Sequence, residues 1–183
     1  MNVLAICGSL RQGSLNASLL RAALELAPER MRVETTSIRE LPLYDEDLRK
    51  DGFPAPAQAL IDRLAAADGL LLVTPEYNYS IPGGLKNAID WFSRAPSQVF
   101  AGKAVALMSA SPGALGGARA QYHLRQVCVF LDMHPLNKPE VMVMNAKDKF
   151  DTEGRLVDEE TRGIVKKQLE AFAVWIEKLG VRA

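Results

Sequence analysis

The 183-residue sequence is poor in metal-binding residues and carries no excess of charge. It has 2 cysteines and 2 histidines, and neither Cys7 nor Cys128 has metal-ligand spacing to His123 or His134. We therefore expect no metal site and two reduced, buried thiols. The 22 Lys and Arg residues balance the 22 Asp and Glu residues, which argues against a surface specialised for nucleic acid or another polyanion.

The sequence also has no long apolar run, and its first residues do not show the pattern of a secretory leader. No apolar stretch approaches the roughly 18 residues that span a membrane. The first residues, Met1 to Cys7, lack a basic n-region and read at once as a strand. From these absences we predict a cytoplasmic protein. Its length and even composition predict one domain over residues 1–183.

Apolar or β-branched runs alternate with helical patterns along the whole chain. Strands are predicted at 3–6, 32–38, 70–73, 104–108 and 140–144. Helices are predicted at 16–27, 57–68, 85–93, 118–133 and 164–179. Such alternation predicts an α/β fold, in which parallel strands are joined by right-handed crossovers and helices cover both faces. Residues 39–56 are long and irregular, which is typical of a loop over a site or an interface.

Three strand-end segments, 8–16, 74–84 and 109–117, are candidates for a ligand site, because ligands of such sheets bind beyond the carboxyl ends of the strands. The first places hydroxyl groups, Arg11 and backbone N–H groups at the start of a helix, as a phosphate monoester requires. It lacks the Gly-Lys-Ser/Thr ending of a triphosphate loop and the Gly-x-Gly-x-x-Gly spacing of a dinucleotide fold. The alternative is an ordinary strand-to-helix turn, which also favours Gly and Ser.

The second segment reads as a seat for a flat heteroaromatic ring. Tyr77 and Tyr79 alternate with polar residues, and Gly83 and Gly84 allow close approach of the main chain. The alternative is that both tyrosines belong to the core. Glu76 is interpreted as a positioning group, since no partner for a general base is evident. The third segment is small-residue-rich, and forms either another wall near the ring or a flexible connector.

The residues that carry a family resemblance are GSLR at 8–11 with Ser14 and Asn16, TPEYNYSIPGGLKNAIDW at 74–91, and GGARAQYHLRQ at 116–126. Together they resemble the NAD(P)H-dependent FMN reductase family. Within it the similarity is to the chromate and quinone reductases, which include azo-dye reductases. The resemblance implies a flavodoxin-like three-layer fold with a five-stranded parallel sheet in the order 2-1-3-4-5. It also implies non-covalent FMN and a homodimer or homotetramer.

The resemblance further implies which residues bind the cofactor. Around the phosphate it places Arg11, Ser14, Leu15, Asn16, Ala17 and Ser18. Around the isoalloxazine it places Glu76, Tyr77, Asn78 and Tyr79, with Ser111 closing the site, and we add Pro75 from the second segment. We add Ser9 from its place in the first segment. Pro112 departs from the pattern expected of the third segment. No catalytic side chain is expected, because the flavin carries the redox chemistry.

The implied function is an oxidoreductase that takes hydride from NADPH or NADH through bound FMN. Its expected acceptors are quinones, azo and nitro compounds, chromate and free flavin. Two alternatives are a flavodoxin-type electron carrier without NAD(P)H turnover of its own, and a flavin-free binding domain. A polar cluster on one predicted helix, formed by Arg119, Tyr122, His123 and Arg125, either joins subunits or is simply solvated.

Overall fold

The computed structural model describes residues 1–180, and its centre is a parallel sheet. The strands are β1 (Asn2–Cys7), β2 (Arg32–Thr36), β3 (Gly69–Val73), β4 (Ala104–Ala110), β5 (His134–Pro135) and β6 (Val141–Val143). The helices are α1 (Leu15–Leu26), α2 (Glu46–Arg49), α3 (Ala55–Ala66), α4 (Gly83–Phe92), α5 (Ala118–Phe130) and α6 (Glu159–Gly180). The strand order is β2-β1-β3-β4-β5, so the predicted order is confirmed.

Burial along the strands follows their position in the sheet. Every residue of β3 and β4 is buried, as expected for central strands covered on both faces. The edge strand β2 is largely exposed, and it ends at Thr36 rather than at Ile38 as predicted. The continuous apolar runs therefore identify the central strands, whereas β2 is recognised by alternation and β-branched residues.

The far edge of the sheet differs from the prediction of one last strand. β5 pairs with the start of β4 and β6 pairs with its end, so two short strands share this edge. Between them lies Pro139, which has no backbone N–H to donate to a ladder. The sheet consequently has six strands rather than five, although the five-strand order is preserved.

Two apolar cores lie on opposite faces of the sheet. α1 and α6 cover one face, where Phe172 and Leu169 are fully buried. α3, α4 and α5 cover the other, where Trp91 and Phe92 are among the largest buried side chains. Among residues 1–180, no helix is both long enough and apolar enough to cross a membrane.

The two cysteines have different surroundings, and both are free thiols. Cys128 is buried as predicted, and burial raises its pKa to about 11. Cys7, at the end of β1, is only partly buried, because its strand ends where the sheet opens to the loops above it. Burial also raises the pKa of Cys7.

Residues 39–54, called the long loop below, are fastened to α4. The carbonyl oxygen of Pro42 accepts from Asn87 Nδ2 and from Trp91 Nε1, each at 2.8 Å. The backbone N–H of Tyr44 donates to Asn87 Oδ1 at 2.7 Å, and its ring meets Trp91 edge-on at 5.0 Å. Leu43, between these anchors, is 83% exposed. The predicted irregular segment is therefore ordered, and it contains the short helix α2.

Asp158 caps the start of α6, and its removal tests the pH dependence of stability. Hydrogen bonds from Thr161 and the ammonium group of Lys149 lower the pKa of Asp158 to about 2, from an ordinary 3.8. A folded-state pKa below the unfolded value means that the stabilisation is complete above pH 3.8 and is lost as the pH falls toward 2. We expect Asp158→Ala to lower Tm by about 2–4 °C at pH 7, and by progressively less below pH 4.

Thermal unfolding followed by circular dichroism from pH 7 to pH 3 measures this difference. Asp45→Ala is the matched control, because Asp45 caps only the short helix α2 through one bond to the Asp47 N–H, at 2.9 Å. A deficit for Asp158→Ala that stays constant with pH would contradict the assignment.

Candidate functional site

Three loops meet at one edge of the sheet, because they follow the neighbouring parallel strands β1, β3 and β4. We call residues 8–14 the first loop, 74–82 the second loop and 111–117 the third loop. The N–H of Gly8 donates to the Val73 carbonyl at 2.8 Å, and that of Thr74 donates to the Met108 carbonyl at 2.9 Å. β2 lies on one side of β1 and β3 on the other, so the first two loops flank the point where strand order reverses.

The first loop ends in a helix cap. Ser14 precedes α1, and its Oγ accepts from the backbone N–H groups of Asn16 and Ala17 at 3.2 and 3.4 Å. Within residues 1–180, the backbone N–H groups of Gln12, Gly13 and Leu15 at this turn have no backbone or side-chain acceptor in the chain. Such a set of free donors at a helix N-terminus suits an anion.

Two arginines lie along the first loop. Arg11 is exposed, and its Nη2 donates to the Gly13 carbonyl at 3.0 Å, which curls the side chain over the turn. Arg39 donates to the Leu10 carbonyl and so ties this loop to the segment after β2. Ser9 Oγ accepts weakly from the Arg11 N–H at 3.4 Å. The donor set is therefore cationic and hydroxyl-rich, as the sequence predicts for a phosphate seat.

Asn16 has a structural task that its sequence position does not reveal. Its side chain is buried, and its amide pairs with the end of β4 like a short piece of strand. Nδ2 donates to the Ala110 carbonyl and Oδ1 accepts from the Ala110 N–H, both at 2.9 Å. Both ends of this amide are occupied, so any contribution of Asn16 to a phosphate comes through its backbone and through the placement of α1.

Ser18, in the first turn of α1, is buried beneath a distant turn. Its Oγ accepts from Arg21 Nη2 at 3.0 Å, and the same nitrogen donates to the Gly154 carbonyl at 3.3 Å. A Cβ on Gly154 would lie 2.7 Å from Ser18 Oγ, so the turn packs directly on this hydroxyl. Sequence reasoning missed Arg21 and Gly154, because no local pattern links a turn near residue 154 to α1.

The second loop is a tight reversal that exposes its aromatic rings. Tyr77 and Ser80 exchange two backbone hydrogen bonds at 3.1 and 3.0 Å. Asn78 and Tyr79, between them, both have positive φ, at 50° and 68°. Tyr77 is 47% exposed and Tyr79 is 64% exposed, so the alternative that these rings belong to the core is wrong. Pro75 is buried and anchors the start of the loop.

The carboxylate of Glu76 turns away from the loop edge toward α5. Oε2 accepts from the backbone N–H groups of Arg119 and Ala120 at 3.0 and 3.3 Å, and Oε1 accepts from Arg119 Nη1 at 3.1 Å. The side chain is only 13% exposed. Glu76 thus has partners within the chain, and the interpretation of it as a positioning group agrees with this geometry.

Three of the four residues in the polar cluster on α5 contact loops of the same chain. Arg119 pairs with Glu76, and His123 Nδ1 lies 2.9 Å from Ser80 Oγ. Arg125 donates to Asn137 Oδ1 and to the Leu136 carbonyl, each at 3.1 Å. Tyr122 is 51% exposed. Simple solvation therefore does not describe these residues.

The third loop is anchored at both ends, although residues 112–115 between them are exposed. Gly116 and Gly117 have φ of 58° and 89°, and both are buried. A Cβ on Gly116 would lie 2.6 Å from the Met142 carbonyl carbon. Ser111 Oγ accepts from the Gly113 N–H at 3.1 Å, its backbone N–H donates to the carbonyl of Val143 at the end of β6, and its carbonyl accepts from the Ala146 N–H. The loop forms a wall beside the second loop, with Ser111 partly exposed at its start.

The three loops offer two kinds of contact side by side. Free N–H donors, hydroxyl groups and Arg11 lie at the end of β1, and exposed rings with a tight main-chain turn lie at the end of β3. This donor set fits a flavin mononucleotide, whose phosphate needs charge-assisted hydrogen bonds and whose ring needs apolar faces with a polar edge. This fit is judged from the donors, the positive charge and the aromatic rings of the chain's own residues.

Comparisons with known proteins also indicate a flavin-dependent reductase. A family model described as NADPH-dependent FMN reductase matches residues 1–148. An NAD(P)H-dependent FMN reductase of Pseudomonas aeruginosa is 51% identical over 179 residues, which cover 98% of this chain and 97% of that protein. A quinone reductase of Escherichia coli K12 is 47% identical over 184 residues, covering 99% of this chain and 98% of that protein.

A solved structure agrees in fold and in kind of enzyme. FerB, a flavoenzyme NAD(P)H:(acceptor) oxidoreductase from Paracoccus denitrificans, superposes with a TM-score of 0.89. It is 36% identical, and the match covers 97% of each chain. The similarity therefore extends over the sheet, both helical layers and all three loops.

Proposed function

The chain belongs to the NADPH-dependent FMN reductase family, and from this membership we propose that its three loops hold FMN tightly and without a covalent bond. The observation that carries the proposal is the juxtaposition of the first and second loops on the adjacent strands β1 and β3. One loop supplies anion donors and the other supplies exposed rings. A phosphate and a flat ring side by side describe a mononucleotide.

Each part of the chain has a separate task in this proposal. Arg11, Ser9 and the backbone N–H groups of residues 12–15 would hold the phosphate, with Asn16, Ala17 and Ser18 fixing the start of α1. The main chain of residues 75–79 would hold the ring, with Ser111 at its far side. The Ser14 hydroxyl already caps α1, so its contact with a phosphate would be shared with the helix.

The protein is an NAD(P)H-dependent reductase of the FMN and quinone class, as its full-length relatives are. When bound, FMN supplies the hydride and electron transfer that no side chain here provides. The residues of the second loop orient the ring and leave one side open, because Tyr77 and Tyr79 are exposed. One open side suits successive use of a single pocket by NADPH or NADH and then by an acceptor.

We infer small oxidised molecules as acceptors. Quinones have the most direct support, because relatives that match over nearly their full length are named as quinone reductases. Azo and nitro compounds, chromate and free flavin are further acceptors to screen. The alternative of a flavodoxin-type carrier receives less support, since the net charge is zero and the chain has no overall charge to guide a protein partner.

FMN binding and its reduction are the direct test. We expect the protein to quench FMN fluorescence with a Kd below about 1 µM, and riboflavin, which lacks the phosphate, to bind at least about 100-fold more weakly. Anaerobic NADPH or NADH should then bleach the flavin's visible absorption, and a benzoquinone should restore it. Failure of FMN to bind, or of both nicotinamides to bleach it, would overturn the proposal.

We also propose a homodimer or homotetramer. On the outer side of α5, Tyr122, Val129 and Phe130 are 51, 81 and 88% exposed. Apolar side chains this exposed are typical of an interface between copies. Light scattering on the purified protein measures the assembly, and a monomer at micromolar concentration would contradict this assignment.

The compartment is likewise a proposal. Cys7 and Cys128 are free thiols, the state expected in a reducing compartment such as the cytoplasm. Cell fractionation of the tagged protein tests this placement, and recovery outside the cytoplasm would contradict it.

A further inference from the structure

The start of helix α5 is capped by a residue from another loop. Gly117 is the N-cap residue, and it has no side chain with which to cap the helix. The first turn of α5 contains no acidic residue. Glu76, 43 residues earlier in the chain than Arg119, provides the missing acceptor for the second and third N–H groups of the helix. Its negative charge also lies at the positive end of the helix dipole.

The turn that follows Glu76 has an unusual residue at its tip. Two-residue turns with positive φ at both centres normally have Gly second, because a side chain there is strained. Here Tyr79 occupies that position with φ of 68°. One face of its ring stacks against the Arg119 guanidinium, whose Cζ lies 3.7 Å from the ring centroid. A stacked cation offsets part of the strain of the turn.

Arg119 therefore links Glu76, near the start of the second loop, to Tyr79 at the tip of its turn. The same guanidinium stacks on Tyr79 and pairs with Glu76. One helical turn later, on the same face of α5, His123 meets Ser80 at 2.9 Å. Three residues of the segment 76–80 thus contact one face of one helix, and these contacts add to the two backbone hydrogen bonds that close the turn.

We propose that Glu76, Arg119 and Tyr79 form one positioning clamp, which fixes the Asn78–Tyr79 turn in the shape that the flavin ring requires. In this proposal Glu76 influences flavin binding through its contact with α5 rather than by touching the ring. Arg119 influences it by stabilising the Asn78–Tyr79 turn of its own chain. This inference rests on the proposed FMN site. It adds Arg119 to the groups that determine cofactor affinity, and it assigns the Glu76 carboxylate an indirect role through α5.

A mutant cycle on FMN affinity tests the clamp. Glu76→Ala and Arg119→Ala should each raise the FMN Kd about 10-fold, and the double variant should show about the same 10-fold loss rather than 100-fold, because the residues act as a unit. Glu76→Gln keeps an acceptor oxygen for the helix but loses the charge, and should lose about 3-fold. Additive losses, or unchanged affinities, would overturn the clamp.

Tyr79→Gly separates the clamp from a purely structural role of Arg119. Glycine accepts positive φ without strain, so Arg119→Ala should change the Kd by less than about 2-fold in a Tyr79→Gly background. A structural role of Arg119 in α5 would persist in that background, and its persistence would overturn the inference. Arg125→Ala is the matched control, because Arg125 lies on the same helix and faces Glu140 at 3.8 Å; less than about a 2-fold change is expected.

Amide hydrogen exchange in the flavin-free protein gives a readout that needs no cofactor. Glu76→Ala and Glu76→Gln should both accelerate exchange at Arg119 and Ala120, whose N–H groups lose a charged acceptor, and at Ser80, whose N–H closes the turn. Unchanged exchange at Ser80 would overturn the clamp. Failure of the wild-type protein to bind FMN would instead overturn the proposed function, and exchange would still decide whether the clamp exists.

Discussion

Asn16→Asp is expected to lower the free energy of unfolding by about 3 kcal/mol at neutral pH, although the new side chain has the same shape. The substitution replaces the donor that faces the Ala110 carbonyl with a second carboxylate oxygen, in a position only 3% exposed. A buried negative charge then opposes a carbonyl dipole. Because Asn16 also fixes the first turn of α1, FMN affinity should fall as well, by about 10-fold.

The pH dependence gives this prediction a distinctive sign. Burial raises the pKa of the introduced carboxyl above its unfolded value, so the deficit is largest at high pH and shrinks as the pH falls toward about 4. The protonated carboxyl again donates to the Ala110 carbonyl. Urea unfolding of wild type and variant across this range measures the difference.

Asn137→Asp is the control for the same chemical change elsewhere. Asn137 is exposed, and its Oδ1 accepts from Arg125 Nη1 at 3.1 Å, so a carboxylate there keeps its partner. We expect a change within about 0.5 kcal/mol. A deficit for Asn16→Asp that did not depend on pH would show that the amide bridge is not its cause.

Gly116→Ala is the second large prediction, with an expected loss of about 3 kcal/mol. The new methyl group would lie 2.6 and 2.7 Å from the carbonyl carbon and oxygen of Met142, and backbone atoms cannot rotate away as a side chain can. The φ of 58° adds strain for any residue with a Cβ. Either the third loop or β6 must shift.

Gly113→Ala in the same loop is the matched control. Its Cβ would meet only Ser111 Oγ, at an ordinary 3.6 Å, so stability should change by less than about 0.5 kcal/mol. Denaturant unfolding of both variants measures the contrast. Equal effects from the two substitutions would mean that the third loop tolerates displacement, contrary to its packing against β6.

The sequence was sufficient for the layout because the rules for parallel sheets are strong. Short apolar runs such as Leu70 to Val73 are typical of a strand that is covered on both faces. Their alternation with helices leaves only a few possible sheet topologies. The same rules place the loops after β1, β3 and β4 at one edge. The predicted last strand corresponds to β6, but β5 was missed, because two residues such as His134 and Pro135 give no strand signal.

Side-chain partners were beyond the sequence for a different reason. Asn16 pairs with Ala110 across 94 positions, and Glu76 caps a helix that begins 42 positions later. Residue type indicates only that a buried amide or carboxylate needs a partner, and the partner is selected by the packing of whole elements. The same holds for Arg119, which the sequence places on a surface helix and the structure places on Tyr79.

The anchoring of the long loop at Pro42 has a consequence for native-state motion. Two donors from α4 share this one carbonyl, so its release removes both bonds at once. We therefore expect the loop to open as a single unit rather than residue by residue, at a free energy below that of global unfolding and with the sheet and both cores intact.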